Sequence, residues 1–169
     1  MEGHTQTTLA THKMWNYIIS TAGSQRVLEI GFNLGHSARI FLEFGLEVHS
    51  IDIGENKGTE SIMKHLAFMN KNFSYEVANS WDLDYRDYTG YDMMFVDGGH
   101  DTVTVLNDIL LGVKAGIKWI IVDDYDGKWF GNIIQTVDFM NKRGVLKLRD
   151  CLSYDASDGK NTLAILQND

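Results

Sequence analysis

The sequence predicts an α/β fold: a doubly wound, mostly parallel seven-stranded sheet with helices on both faces and a C-terminal antiparallel hairpin. Three observations predict it. Short apolar runs alternate with helix-period segments through most of the chain. Residues 26–52 read RVLEIGFNLGHSARIFLEFGLEVHSID, which is a strand, a glycine turn, a helix and a second strand closed by an acid. That order opens a nucleotide-binding doubly wound sheet. The last two strand-like runs, 145–149 and 161–166, flank a turn-rich DASDG at 155–159 and form the hairpin.

The elements follow in order. After a polar segment, 1–8, a helix is predicted over 9–20, with Trp15, Ile18 and Ile19 on its apolar face. TAGS at 21–24 turns the chain into the first strand, 26–30, built on Val27, Leu28 and Ile30. Residues 35–44 are helical, with Ala38, Phe41, Leu42 and Phe44 toward the sheet, and Gly45 stops the helix. The second strand runs from Val48 to Asp52. A polar connection leads to a helix over 59–69, where Ile62, Leu66 and Met69 fall at i, i+4 and i+7. The third strand covers 73–78, and the acid-rich segment to Gly90 is loop or short helix.

Residues 91–96 form an apolar strand broken only by Asp92 and ended by DGGH at 97–100. Val103, Leu106, Ile109 and Leu110 mark a helix ending near Gly112. The fifth strand, 117–122, ends in DDYD at 123–126. Trp129, Ile133, Val137 and Met140 recur at i, i+4, i+8 and i+11, which makes 128–142 helical.

The 169 residues suit one domain, with 1–24 an N-terminal helical segment and 25–169 the core. Apolar residues make up 44% and charged residues 22%, a globular composition. The formal charge of -8 argues against nucleic acid or an anionic membrane as partner. Cys151 is the only cysteine, so no internal disulfide forms and a reducing compartment is the natural setting. With neither a signal peptide nor a membrane span in view, the expected location is cytoplasmic.

Two cofactors fit the opening unit. Dinucleotide sites use a middle glycine to admit pyrophosphate, and here that position is Asn33. Glu29, just before the first glycine, disfavours a phosphate and suits a cation. S-adenosylmethionine carries a sulfonium, an ammonium and no phosphate, so the charge logic favours it. The glycines let backbone approach a ligand, and the acid at Asp52 can hold ribose hydroxyls.

The run Glu29-Ile30-Gly31-Phe32-Asn33-Leu34-Gly35, then Asp52 and the strand that ends in Asp97, resembles the class I S-adenosylmethionine-dependent methyltransferases, whose fold is Rossmann-like. The resemblance covers nearly the whole chain. It assigns the turn holding Glu29, Gly31, Phe32, Asn33 and Gly35 to the methionine part of the cofactor. Asp52 goes to the ribose, Ile53 to a flank of the ring, Asn79 and Ser80 to adenine, and Asp97 joins the cofactor group. The side chains of His36 and Phe32 read as structural.

Asp97 ends the fourth strand, and Asp123 and Asp124 end the fifth, so three carboxylates and His100 gather at one rim. Close carboxylates need a cation or water, and oxygen ligands suit Mg2+, or Mn2+ or Ca2+. The alternative is a solvated acidic rim with His100 as a turn residue. The pattern resembles the metal-dependent O-methyltransferases, closer to the sugar-modifying macrocin type than to the catechol type. That resemblance makes Asp97, Asp123 and Asp124 the metal ligands and His100 the general base. The expected reaction is methylation of a hydroxyl on a small molecule or glycan.

Tyr125 and Trp129 are candidates to pack on an acceptor ring, with Tyr125 as core filler the other reading, and Lys128 is a spare proton acceptor or a surface lysine. Relatives of this type carry a longer N-terminal region or an inserted cap. Here about 25 residues precede the first strand, so the substrate side is open, completed by the partner in a homodimer, or covered by 1–20 and 79–90. Three rivals stay open: a metal-independent small-molecule methyltransferase, an NAD-linked oxidoreductase, and a non-catalytic S-adenosylmethionine-binding protein. The Asn/Asp-Pro-Pro-aromatic signature of amino-methylating enzymes cannot occur in a chain without proline.

Overall fold

A computed structural model describes residues 9–126, 131–156 and 159–169. Its strands are β1 (Arg26–Ile30), β2 (Glu47–Asp52), β3 (Phe73–Val77), β4 (Met93–Val96), β5 (Trp119–Val122), β6 (Lys147–Ala156) and β7 (Gly159–Gln167). Its helices are α1 (Leu9–Ala22), α2 (His36–Glu43), α3 (Thr59–Met69), α4 (Thr102–Lys114) and α5 (Gly131–Lys142). One seven-stranded sheet has the order β3-β2-β1-β4-β5-β7-β6. β1 to β5 pair in parallel, and β7 pairs antiparallel with both β5 and β6. The expected α/β architecture with its antiparallel edge is therefore present.

Alternation along each strand sends neighbouring residues to opposite faces. Val27, Val48, Met93, Phe95 and Ile121 face α1 to α3, where Trp15 meets Phe41 and Phe95 edge-on at 4.8 and 5.2 Å. Leu28, Ile51, Met94, Val96 and Ile120 face α4 and α5. Both faces are covered, which is why the central strands are apolar on both sides. Asp92, the one charge in its apolar run, precedes β4 and accepts from the amides of Gln25 and Arg26 at 2.8 and 2.9 Å, which pins the start of β1.

Several expectations are corrected. α4 does not end near Gly112 but runs through it to Lys114, and Gly116 makes the left-handed turn instead, at φ 74°. Gly112 is where the helix presses on the sheet: an added Cβ would meet the Met94 sulfur at 2.6 Å. On α3 Thr59 and Met63 are buried and the expected Ile62 and Leu66 pack partly against the same core, as does Ala67, whereas the expected Met69 is exposed. The stripe is therefore centred on Met63, one position after Ile62, and stops short of Met69. The hairpin strands are longer than 145–149 and 161–166 and pair up to Ala156 and Gly159. The segment 79–90 holds two short 3-10 turns, Ser80–Asp82 and Tyr85–Tyr88. Residues 1–8, Lys128, Trp129 and residues 157–158 of the expected DASDG turn lie outside the described residues. Among those described, no helix is long and apolar enough to cross a membrane.

Candidate active site

The parallel ladder continues one residue past each strand and fixes the rim. Gly31 donates to the Ile51 carbonyl at 2.8 Å, Ala78 to Asp52 at 3.0 Å, Asp97 to Ile30 at 2.8 Å and Asp123 to Val96 at 3.0 Å. The strand tips therefore open together onto one cavity of about 880 Å3, within the range that holds cofactor-sized ligands. Gly31, Asn33, Asp52, Ile53, Asn79, Ser80, Asp97, His100, Asp123 and Asp124 all line it.

The β1–α2 turn is held by protein groups. Asp52 Oδ2 accepts from the amides of Phe32 and Asn33 at 3.0 and 2.9 Å, and its Oδ1 accepts from Gly54 at 2.7 Å. Asn33 sits at a left-handed φ of 48°, fixed by Thr59 donating to its carbonyl at 2.9 Å and Asn56 to its side chain at 3.2 Å. The glycines answer to the protein as well. An added Cβ on Gly31 would lie 2.1 Å from the Asp97 carbonyl oxygen, and one on Gly35 would lie 2.5 Å from the Phe32 ring. The close approach that requires these glycines is by neighbouring protein atoms, where the sequence suggested a ligand.

Three residues of the expected cofactor group do not line the cavity. Phe32 is buried against Phe73, with ring centroids 5.7 Å apart. Gly35 closes the turn onto that ring. Glu29 is fully buried under the turn, where it accepts from the Ser37 and Ser50 hydroxyls. Burial raises its carboxyl to about 7, against the two hydroxyls, which pull it down.

In the same cavity, ligand atoms of Asp97, His100 and Asp124 lie within 4.8 Å of one another. His100 Nε2 is 3.0 Å from Asp124 Oδ2. The expected third carboxylate, Asp123, is turned away from this group. Its two oxygens accept from the Tyr154 hydroxyl at 2.9 and 2.8 Å, and Oδ1 also takes Asn161 Nδ2 at 3.1 Å. Burial, and then the charge of Asp124, raise its carboxyl to about 7. Asp123 keeps the face of Ile121, two residues before it, while the left-handed backbone of Asp124, φ 57°, sends the next side chain to His100. Asn161 also donates to Asp124 at 2.5 Å, and Asp123 Oδ1 accepts from the Asp124 amide at 2.8 Å. The donor set of carboxylate oxygens and an imidazole fits a hard divalent cation.

Tyr125 is structural here: it packs against the α4–α5 core and donates its hydroxyl to Asp138 at 2.9 Å. Tyr154, Lys160 and Asn161 line the cavity and were not foreseen. They reach it from the hairpin, and no sequence spacing marks them. Asp108 was also missed, although an acid among the apolar residues of α4 was a legible signal.

No family model and no curated protein sequence matches the chain. Solved structures do match in fold. An O-methyltransferase from Bacillus cereus, solved with S-adenosylhomocysteine, gives a TM-score of 0.74 over 97% of this chain and 83% of that one, at 16% identity. The O-methyltransferase TomG from Streptomyces achromogenes, involved in tomaymycin synthesis and solved with S-adenosylmethionine, gives 0.73 over 96% and 81%, at 17% identity. The N-methyltransferase NodS from Bradyrhizobium japonicum gives 0.67 over 93% of each chain, at 13% identity. The chain therefore has the Rossmann-like methyltransferase fold. Because that fold serves transfer to oxygen and to nitrogen alike, function has to be argued from the site.

Proposed function

We propose that this chain is an S-adenosylmethionine-dependent methyltransferase that uses a divalent cation to methylate a hydroxyl on a small molecule or glycan. The observation that carries this reading is the meeting, in one cavity, of the turn beside Asp52 with the cluster of Asp97, His100 and Asp124. When bound, S-adenosylmethionine supplies an electrophilic methyl group and a divalent cation supplies charge that favours ionisation of a nearby hydroxyl. The residues around them do the rest. Asn33, Asp52, Ile53, Asn79 and Ser80, which line the cavity, would hold the nucleoside, and Asp97 would serve both groups, with its carbonyl against Gly31 and its side chain in the cluster.

Asp97 and Asp124 would hold the cation, while Asp123 and Asn161 keep Asp124 in place. The Asp124 carboxylate next to Nε2 favours the histidine tautomer protonated there, which puts the accepting lone pair on Nδ1. His100 in that form takes the acceptor's proton. Acids at the rim, Asp97, Asp101, Asp124 and Asp126 against Lys160, favour a neutral or cationic acceptor over an anionic one.

The test is calorimetric titration of the full chain with S-adenosylhomocysteine, followed by transfer of labelled methyl to a panel of glycans, polyols and phenols with and without Mg2+. Failure to bind the nucleoside would end the reading. The direct His100–Asp124 contact, in which an imidazolium can balance the carboxylate, also supports a metal-independent variant. Undiminished turnover after chelation would favour that variant.

A further inference from the structure

Six of the chain's 15 lysines and arginines gather at one corner of the sheet. The ends of β5, β6 and β7 meet there: Gln167 pairs with Trp119 on one side and Lys147 on the other, and its Oε1 accepts from Arg149 at 2.6 Å. The Asn168 amide donates to the Lys118 carbonyl at 2.9 Å, and its side chain reaches the carbonyls of Val113 and Ile117 at 3.3 Å, beside Lys114. Lys142 ends α5 and Arg143 follows it, next to Asn141, whose side chain accepts from the Leu148 amide at 3.0 Å. All six cationic side chains are exposed. β5 runs from this corner to Asp123, so the corner and the cavity lie at opposite ends of that strand.

Among the described residues no ion pair involves any of the six. The acids nearby are Asp169, Asp138, which accepts from Tyr125, and Asp150, which accepts from the Cys151 amide at 2.8 Å. Lys114 and Lys142 stand in the last turns of α4 and α5, where a cation offsets the helix dipole. Lys118 and Lys147 have no such local role, and like charges brought together repel. Two apolar side chains accompany the cations. Phe139 is 50% exposed, with the Arg143 guanidinium 5.3 Å above its ring, and Val145 is 38% exposed.

We propose that this corner is a docking surface for an acidic helix of a partner protein, one that carries Asp and Glu around a few apolar side chains and binds without covering the cavity. Exposed cations beside an aromatic ring match that chemistry in both charge and apolar contact. The rest of the chain favours a compact acidic partner over nucleic acid or an anionic membrane. A net charge of -8 repels an extended phosphate surface, whereas a short segment engages the corner alone. The proposal does not rest on the methyltransferase reading.

The test is fluorescence anisotropy of the full chain with a labelled helical peptide of about 18 residues, Glu-rich with leucines along one face, beside the same peptide with Gln for every Glu. Wild type should bind the Glu peptide at least about tenfold more tightly than the Gln peptide, and lose that preference as salt rises from about 50 to about 300 mM. Lys118→Glu with Lys147→Glu should weaken binding of the Glu peptide about tenfold or more. Lys13→Glu with Lys71→Glu changes the net charge equally elsewhere and should stay within about threefold of wild type. Thermal unfolding checks that both variants fold. Equal binding of the two peptides, or equal losses in the two double variants, would overturn the proposal. Tighter binding to phosphatidylserine vesicles or to a single-stranded RNA than to the Glu peptide would overturn it as well, because the corner would then be built for phosphate.

Discussion

Asp52 Oδ2 lies 3.0 Å from the amide of Phe32, twenty positions back in the chain, and 2.9 Å from that of Asn33. The acid that ends β2 is thus a structural clamp on the β1–α2 turn. With the Gly54 amide on its other oxygen, three of about four acceptor sites are taken before any ribose arrives. Asp52→Ala should therefore lower stability as well as nucleoside affinity. Hydrogen bonds to a charged acceptor in a half-buried site put the loss at about 2 kcal/mol. Urea unfolding beside nucleoside titration checks both. Weaker binding at unchanged stability would mean that the clamp is not what Asp52 contributes.

Gly31→Ala should be severely destabilising, because φ is +94° and the new methyl would lie 2.1 Å from the Asp97 carbonyl oxygen. Left-handed strain alone costs about 1–3 kcal/mol, and a backbone clash adds to it. Gly23→Ala, at φ +64° with nothing within 4 Å, is the matched control and should lose only the strain part. Equal unfolding midpoints for the two variants would show that β1 and β4 are free to part at this point.

Glu29 makes stability fall as pH rises. Its folded carboxyl titrates at about 7 against 4.5 for the free group, so the folded state holds the extra proton between these values. Stability is full below pH 4.5 and declines through pH 7, by about 3 kcal/mol. Glu29→Gln should remove that share of the slope and be more stable than wild type at pH 8. Subtracting the two stability–pH curves isolates Glu29 from the other raised acids. A flat difference would sink the assignment.

His100→Ala should lower turnover by about 10²–10⁴ while leaving S-adenosylhomocysteine affinity within about twofold. A matching loss of nucleoside binding would make His100 a binding residue instead.

The carboxylates should rank by direction. Asp97→Asn and Asp124→Asn should each raise the Mg2+ concentration needed for half-maximal activity, and Asp123→Asn should do so less, because its oxygens face Tyr154 and Asn161. The loss in Asp123→Asn should appear in thermal stability as well. If Asp123→Asn were the most metal-sensitive of the three, the ligand set expected from the sequence would stand in place of the one the geometry supports.

The sequence alone determined the sheet and the place of its rim. Arg26–Ile30 and Thr59–Met69 were readable to the residue, because apolar periodicity and flanking glycines act within a few positions of themselves. The acids at 52, 97 and 123–124 were legible as strand tips for the same reason. What those acids face was decided by tertiary packing. Asp123 and Asp124 are adjacent and chemically alike, but one follows the face of Ile121 to Tyr154, 31 residues away, and the other turns through a left-handed φ to His100. Strand alternation extended by one residue would have separated them; the backbone turn would still have been invisible. Asn161 and the atom that fills the space beside Gly31 come from distant strands as well. A local pattern encodes which face of an element is apolar, but a contact between remote segments exists only once the sheet has set their register.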